Sequence, residues 1–173
     1  MIRTFLAILA ASSMLFISNP DMVSAGEDNQ PRVVKFDRKE SYGDWTLHCG
    51  KDQEGVERCI LGIGLWNEEK RRIAGIVLQK TPDGSGLMAH ISLPLGISLL
   101  KPAALQMGEK IYGFPITHCD QEGCHGRLIL NGELLRHFRH RNEGVLLMKL
   151  LDERTVKIPF SLKGSRAGME QIK

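Results

Sequence analysis

Cysteine and histidine sit together at both ends of one short polar run: His118, Cys119, Asp120, Gln121, Glu122, Gly123, Cys124 and His125. Three kinds of chemistry are open to such residues. Two thiolates and two imidazoles could hold zinc, paired thiols could exchange disulfides, or the oxidised sulfurs could form a covalent staple. The flanks, Phe114-Pro115-Ile116-Thr117 and Arg127-Leu128-Ile129-Leu130, read as two strands around a tight turn. Neighbours on a strand point to opposite faces, so His118 and Cys119 do not converge easily on one ion. No Cys-x-x-Cys is present, which weakens thiol exchange. The staple is the reading that remains.

A second version lies upstream, where His48-Cys49 and Cys59 bracket the same tetrapeptide, Asp-Gln-Glu-Gly, at residues 52–55 and again at 120–123. Four cysteines allow three pairings. Pairing Cys49 with Cys59 and Cys119 with Cys124 needs only local closure, for roughly 2–3 kcal/mol apiece in the chain-entropy picture. No metal ligand and no cofactor is assigned on this reading.

Catalytic patterns are missing elsewhere. Ser85 lies in Asp83-Gly84-Ser85-Gly86, a hairpin turn and not a strand-to-helix elbow. The six histidines form no His-Glu-x-x-His, and Gly62 and Gly64 lie inside a strand pattern, away from any phosphate loop. No catalytic residue is assigned, and the expectation is a protein that is not an enzyme. The densest charge cluster is Arg136, His137, Arg139, His140 and Arg141 around Phe138. It is either a solvated helix face or a candidate interaction surface for an anionic partner. Its histidines would add charge below about pH 6.5. The apolar run at 93–100 is either a loop covering the core or an exposed contact site.

These residues need a frame to hold them. The chain has 173 residues, 42% of them apolar and 25% charged, with a net charge of +3. That suits one globular domain and is too weak a charge to imply nucleic-acid binding. Residues 1–25 read as a signal peptide: Arg3, an apolar stretch over 5–17, then Val23-Ser24-Ala25 before a cut at Gly26. No later stretch is apolar enough for a membrane helix. The expected product is periplasmic, secreted or peripherally attached to the envelope, where disulfides persist. Residues 26–40 are polar and read as a flexible arm, with Val33-Val34 a weak edge strand. Residues 41–173 then form one β-rich domain.

Within it, alternation or apolar runs predict strands over 42–49, 58–65, 73–79, 87–93, 111–119, 124–130, 145–151 and 155–162. Trp45, Leu47 and Cys49 share one face. Pro94 and Pro102 bar the run between them from a sheet interior. Asn131 can cap a short helix that turns Leu134, Leu135 and Phe138 inward and ends at Gly144, and residues after Gly164 can form another short turn of helix. The expected fold is mainly all-β: an antiparallel β-sandwich or flattened barrel of about nine strands with one short helix.

Several of these features recur in order in one family. Asp44-Trp45 with Cys49 and Cys59, then Leu93-Pro94-Leu95-Gly96, then Cys119 with Gly123-Cys124, then Pro159-Phe160-Ser161-Leu162-Lys163-Gly164 resemble the invasion-associated locus B family of exported bacterial proteins. The resemblance spans about residues 41–165. It implies a periplasmic or secreted β-rich domain with no catalytic motif, in a family whose members are linked to host-cell invasion. It also leads one to expect a bulky apolar residue at the position that Ser165 occupies. The combined expectation is a binding module for an unidentified envelope or host-surface component, with a role in virulence or invasion. The alternative is a periplasmic enzyme or metal-binding protein that uses the histidines near the cysteine hairpins.

Overall fold

A computed structural model describes residues 34–173. The expected signal peptide and the start of the expected arm lie outside the described residues. Among the described residues, eleven strands form two sheets. The first contains β1 (Lys35–Tyr42), β2 (Trp45–Lys51), β3 (Glu57–Trp66), β4 (Arg72–Lys80), β5 (Leu87–Leu93), β8 (Ile116–Cys119) and β9 (Cys124–Ile129), in the order β1-β2-β3-β4-β5-β9-β8. The second has β6 (Ala103–Met107), β7 (Lys110–Phe114), β10 (Glu143–Lys149) and β11 (Thr155–Ser161), in the order β11-β10-β6-β7. Every pairing is antiparallel. Helix α1 (Gly132–His140) follows β9, and helix α2 (Ser165–Met169) follows β11.

Period-2 alternation puts one face of each sheet into a shared core. Trp45, Leu47 and Cys49 are buried together, as their spacing requires. Leu105, Met107, Leu146, Met148 and Phe160 from the smaller sheet join the same cluster. The sheets do not close into a barrel, so the architecture is a sandwich. Phe138 of α1, fully buried, lies 6.2 Å from the Trp45 ring of the larger sheet and 6.5 Å from the Phe160 ring of the smaller one. It therefore locks α1 against both layers.

Four expectations need correction. Residues 35–40 are not an arm: β1 pairs with β2 from Lys35 to Tyr42. The strand expected over 111–119 is two strands in different sheets, broken at Pro115, which has no N–H for a ladder. Strand β6 was not anticipated, although only Gln106 in it is not buried. Helix α1 ends at His140, and Gly144 already belongs to β10. Asn131 does occupy the N-cap position, but its side chain makes no capping bond.

The run after β5 combines both readings offered for it. Leu93, Ile97 and Ser98 are buried, and Ile97 bridges to Leu150. Leu95, Leu99 and Leu100 are exposed, Leu100 to 90%.

Candidate functional site

Both pairs of cysteines are joined, Cys49 to Cys59 and Cys119 to Cys124, with Cα separations of 4.1 and 4.0 Å. Each pair is directly opposed across its hairpin. No thiol is free among the described residues. The repeated tetrapeptide builds a related local device twice, with the aspartate reaching two and four residues ahead in the first turn and two and three ahead in the second. In the first turn, Asp52 Oδ1 accepts the N–H groups of Glu54 and Val56 at 3.1 and 2.9 Å. In the second, Asp120 Oδ1 accepts those of Glu122 and Gly123 at 2.8 and 3.2 Å. These are side-chain mimics of a backbone turn, the reason aspartate starts such loops. Gly123 has φ +146°, and a Cβ there would lie 2.2 Å from the Leu93 carbonyl oxygen, so only glycine fits between the turn and β5.

The hairpins differ in what faces the aspartate. Arg58 Nε donates to Asp52 Oδ2 at 2.9 Å, and the Asp52 side chain is 1% exposed. The guanidinium, with the backbone bonds, holds that carboxyl below its ordinary pKa against the opposing effect of burial. Asp120 is half exposed and lies 3.3 Å from His125 Nε2. Its carboxyl is lowered chiefly by the Glu122 N–H and then by His125. His48 opposes Ile60, whereas His118 opposes His125. The latter two rings stack with centroids 4.8 Å apart and planes 20° from parallel. Thr117 Oγ1 donates to the His125 carbonyl at 2.9 Å and sits 3.0 Å from His118 Nδ1. His118, Asp120 and His125 thus bring one donor atom each within 4.8 Å of one another. Beside them opens a cleft of about 360 Å³, lined in part by Arg72, Ser92, Leu95, Glu122 and His125.

The sequence pattern alone does not single out Asp120 as a partner for the histidines. The available signal was two histidines placed symmetrically outside a cystine, which makes them cross-strand neighbours on one face. Cys49, Glu57 and Cys59 also cluster, but their sulfurs are spent in the disulfide. Ser85 Oγ donates to Asp83 Oδ2 at 2.8 Å, a bond within its own turn. Its role is to brace that turn.

The basic cluster divides. Arg136, Arg139, His140 and Arg141 are exposed, and among the described residues no carboxylate pairs with any of the three arginines. His137 does not belong with them. Its side chain is 13% exposed, and its ring packs edge-on against Tyr112 at 5.9 Å. Arg141 Nε donates to its Nδ1 at 3.0 Å. Burial, then the Arg141 charge, push its pKa down. His137 is therefore a packing residue and not part of the exposed basic face.

The chain matches the family described as Invasion associated locus B (IalB) protein over residues 45–173. Among solved structures it is similar to the crystal structure of invasion associated protein b from Bartonella henselae, with a TM-score of 0.71 at 23% identity, covering 78% of this chain and 94% of that one. At that identity the likeness establishes the fold. No curated protein matches.

Proposed function

The chain belongs to the invasion associated locus B family, and from that premise we propose that it is an exported, non-enzymatic binding module whose partner is an anionic component of the cell envelope or host-cell surface. The observation that carries this reading is the exposed row Arg136, Arg139 and Arg141, free of carboxylate partners among the described residues, on and beside a helix anchored by Phe138. A guanidinium offers a planar fork of donors suited to phosphate and carboxylate groups. Rigid presentation limits the ordering entropy lost on binding. Two local cystines and a signal-like leader suit an oxidising compartment, periplasmic or beyond it. In this reading the link with invasion follows from adhesion at the surface.

The test is retention on phosphatidylglycerol-containing vesicles, with wholly zwitterionic vesicles as the control. Each basic residue near an anionic membrane is worth about 1 kcal/mol. Replacing Arg136, Arg139 and Arg141 by Ser should therefore weaken retention by about 3 kcal/mol, roughly two decades in partition at low salt. Retention that the triple replacement leaves unchanged would remove this face from the mechanism.

A further inference from the structure

We propose that His118, Asp120 and His125 form a binding site for a divalent late transition-metal ion, zinc or copper, at the tip of the second cystine hairpin. The site is independent of the basic face. Its argument begins with register. Cys119 and Cys124 are opposed and bonded, so the next pair out, His118 and His125, is held opposed as well. Two imidazoles and a carboxylate are the nitrogen and oxygen donors that zinc and copper take.

Proton bookkeeping supplies the lone pair. The single Thr117 hydroxyl proton goes to the His125 carbonyl, so the hydroxyl oxygen is an acceptor toward His118 Nδ1. His118 then carries its proton on Nδ1, and Nε2 keeps a free lone pair. A hydrogen bond to one ring nitrogen that fixes the tautomer for the other is the usual support of a metal-bound histidine. Asp120 is oriented in the same way, by the Glu122 and Gly123 N–H groups on Oδ1.

The geometry needs a short closure and a rotation of the two imidazoles out of their stack, which aims their in-plane lone pairs at one point. Donors on a tetrahedral zinc at ~2.0–2.1 Å stand roughly 3.3 Å apart, and the three donor atoms here already lie within 4.8 Å of one another. His118 and Asp120 are exposed and His125 is partly so, which leaves their side chains room to turn inward. Three protein ligands leave a coordination position open to water or to a ligand in the adjoining cleft, which His125 also lines.

Titration calorimetry of the disulfide-intact protein with zinc chloride, and separately with copper sulfate, tests this. The expected result is one equivalent bound by the wild type. His118→Ala and His125→Ala should each weaken it at least roughly tenfold, the low end of what an outer-shell partner alone can cost, while His48→Ala and His140→Ala should leave it intact. In the wild type, imidazole resonances of His118 and His125 should move on titration while those of His48 and His140 stay, a measurement that needs no variant to fold. Absence of saturable uptake of both metals overturns the proposal, as does uptake that survives His118→Ala combined with His125→Ala.

Discussion

Ser165 offers the sharpest test of how the two helices are joined. It is 0% exposed, where the resemblance led one to expect a bulky apolar side chain. Its hydroxyl reaches two carbonyls: Phe138 O in the last turn of α1, and Leu162 O at 2.7 Å. One hydroxyl proton can serve one carbonyl at a time. Leu162 O has a second donor, the Ser165 N–H at 3.1 Å, and Phe138 O has no other among the described residues. Phe138 O is one of the orphan carbonyls that end every helix, and here it is satisfied from α2. Ser165→Ala removes that donor and leaves a buried acceptor unpaired, at a cost of about 1–3 kcal/mol. For a domain of this size 2 kcal/mol corresponds to a fall in Tm of roughly 6–10 °C. Ser165→Leu loses the same bond and adds volume in a closed space, for about 1–3 kcal/mol more. Urea and thermal unfolding followed by Trp fluorescence is a suitable assay, because Trp45 Nε1 donates to Ser161 O nearby at 3.0 Å. A Ser165→Ala protein within 0.5 kcal/mol of wild type, on the ~0.5–1.5 kcal/mol scale of one net hydrogen bond, would refute the reasoning. A more stable Ser165→Leu would show that the position has room to spare.

Two further outcomes follow from the staples and the histidines. The loops closed by the cystines span sequence separations of 5 and 10. Closure entropy then assigns about 2.2 kcal/mol to Cys119 with Cys124 and about 2.8 kcal/mol to Cys49 with Cys59. Serine replacement of each pair, followed by urea unfolding, should cost those amounts in that order, and a clear reversal would show that chain closure does not govern the loss. Burial, the leading cause, lowers the pKa of His90 and of His137, whose Nε2 atoms lack partners. A depressed histidine binds its proton less readily folded than unfolded, so stability falls as pH drops below about 6.5 and continues to fall until the folded values are passed. The urea midpoint should be lower at pH 5.5 than at pH 7.5, and an equal or higher midpoint at pH 5.5 would contradict the burial of these rings.

What could be read from the sequence was whatever rests on local spacing. Cystine pairs ten and five residues apart close on themselves, and the face shared by Trp45, Leu47 and Cys49 follows from a period of two. Strand β1 escaped because its burial pattern carries no signal: six of its eight residues are exposed, and it is held by backbone pairing to β2 and by the Arg38 pair with Glu57. Strand β6 escaped for the opposite reason, being almost wholly buried and rich in alanine, without alternation. His137 looked like surface because its neighbours are arginines. Only the position of Tyr112, on a strand of the other sheet from the histidine hairpin, shows that its ring is covered.

The repeated tetrapeptide gives the molecule an internal control. Both hairpins have a turn opened by an aspartate bonded through Oδ1 to the backbone and are closed by a cystine, which stands beside the turn in the second and two rungs behind it in the first. If the turn alone created chemistry, both tips would have it. At the first tip the second carboxylate oxygen is bonded to Arg58, and the cross-strand neighbour of His48 is Ile60, so charge and donors are consumed in holding the hairpin. At the second tip no arginine pairs with Asp120 among the described residues, and the neighbour of His118 is another imidazole. Arg58 in the longer first hairpin and His125 in the shorter second one thus separate a structural staple from a cluster able to bind an ion. Removing the His125 imidazole leaves the cystine and both backbone bonds to Asp120 Oδ1 in place, so the second hairpin should lose its capacity for metal with a much smaller loss of stability.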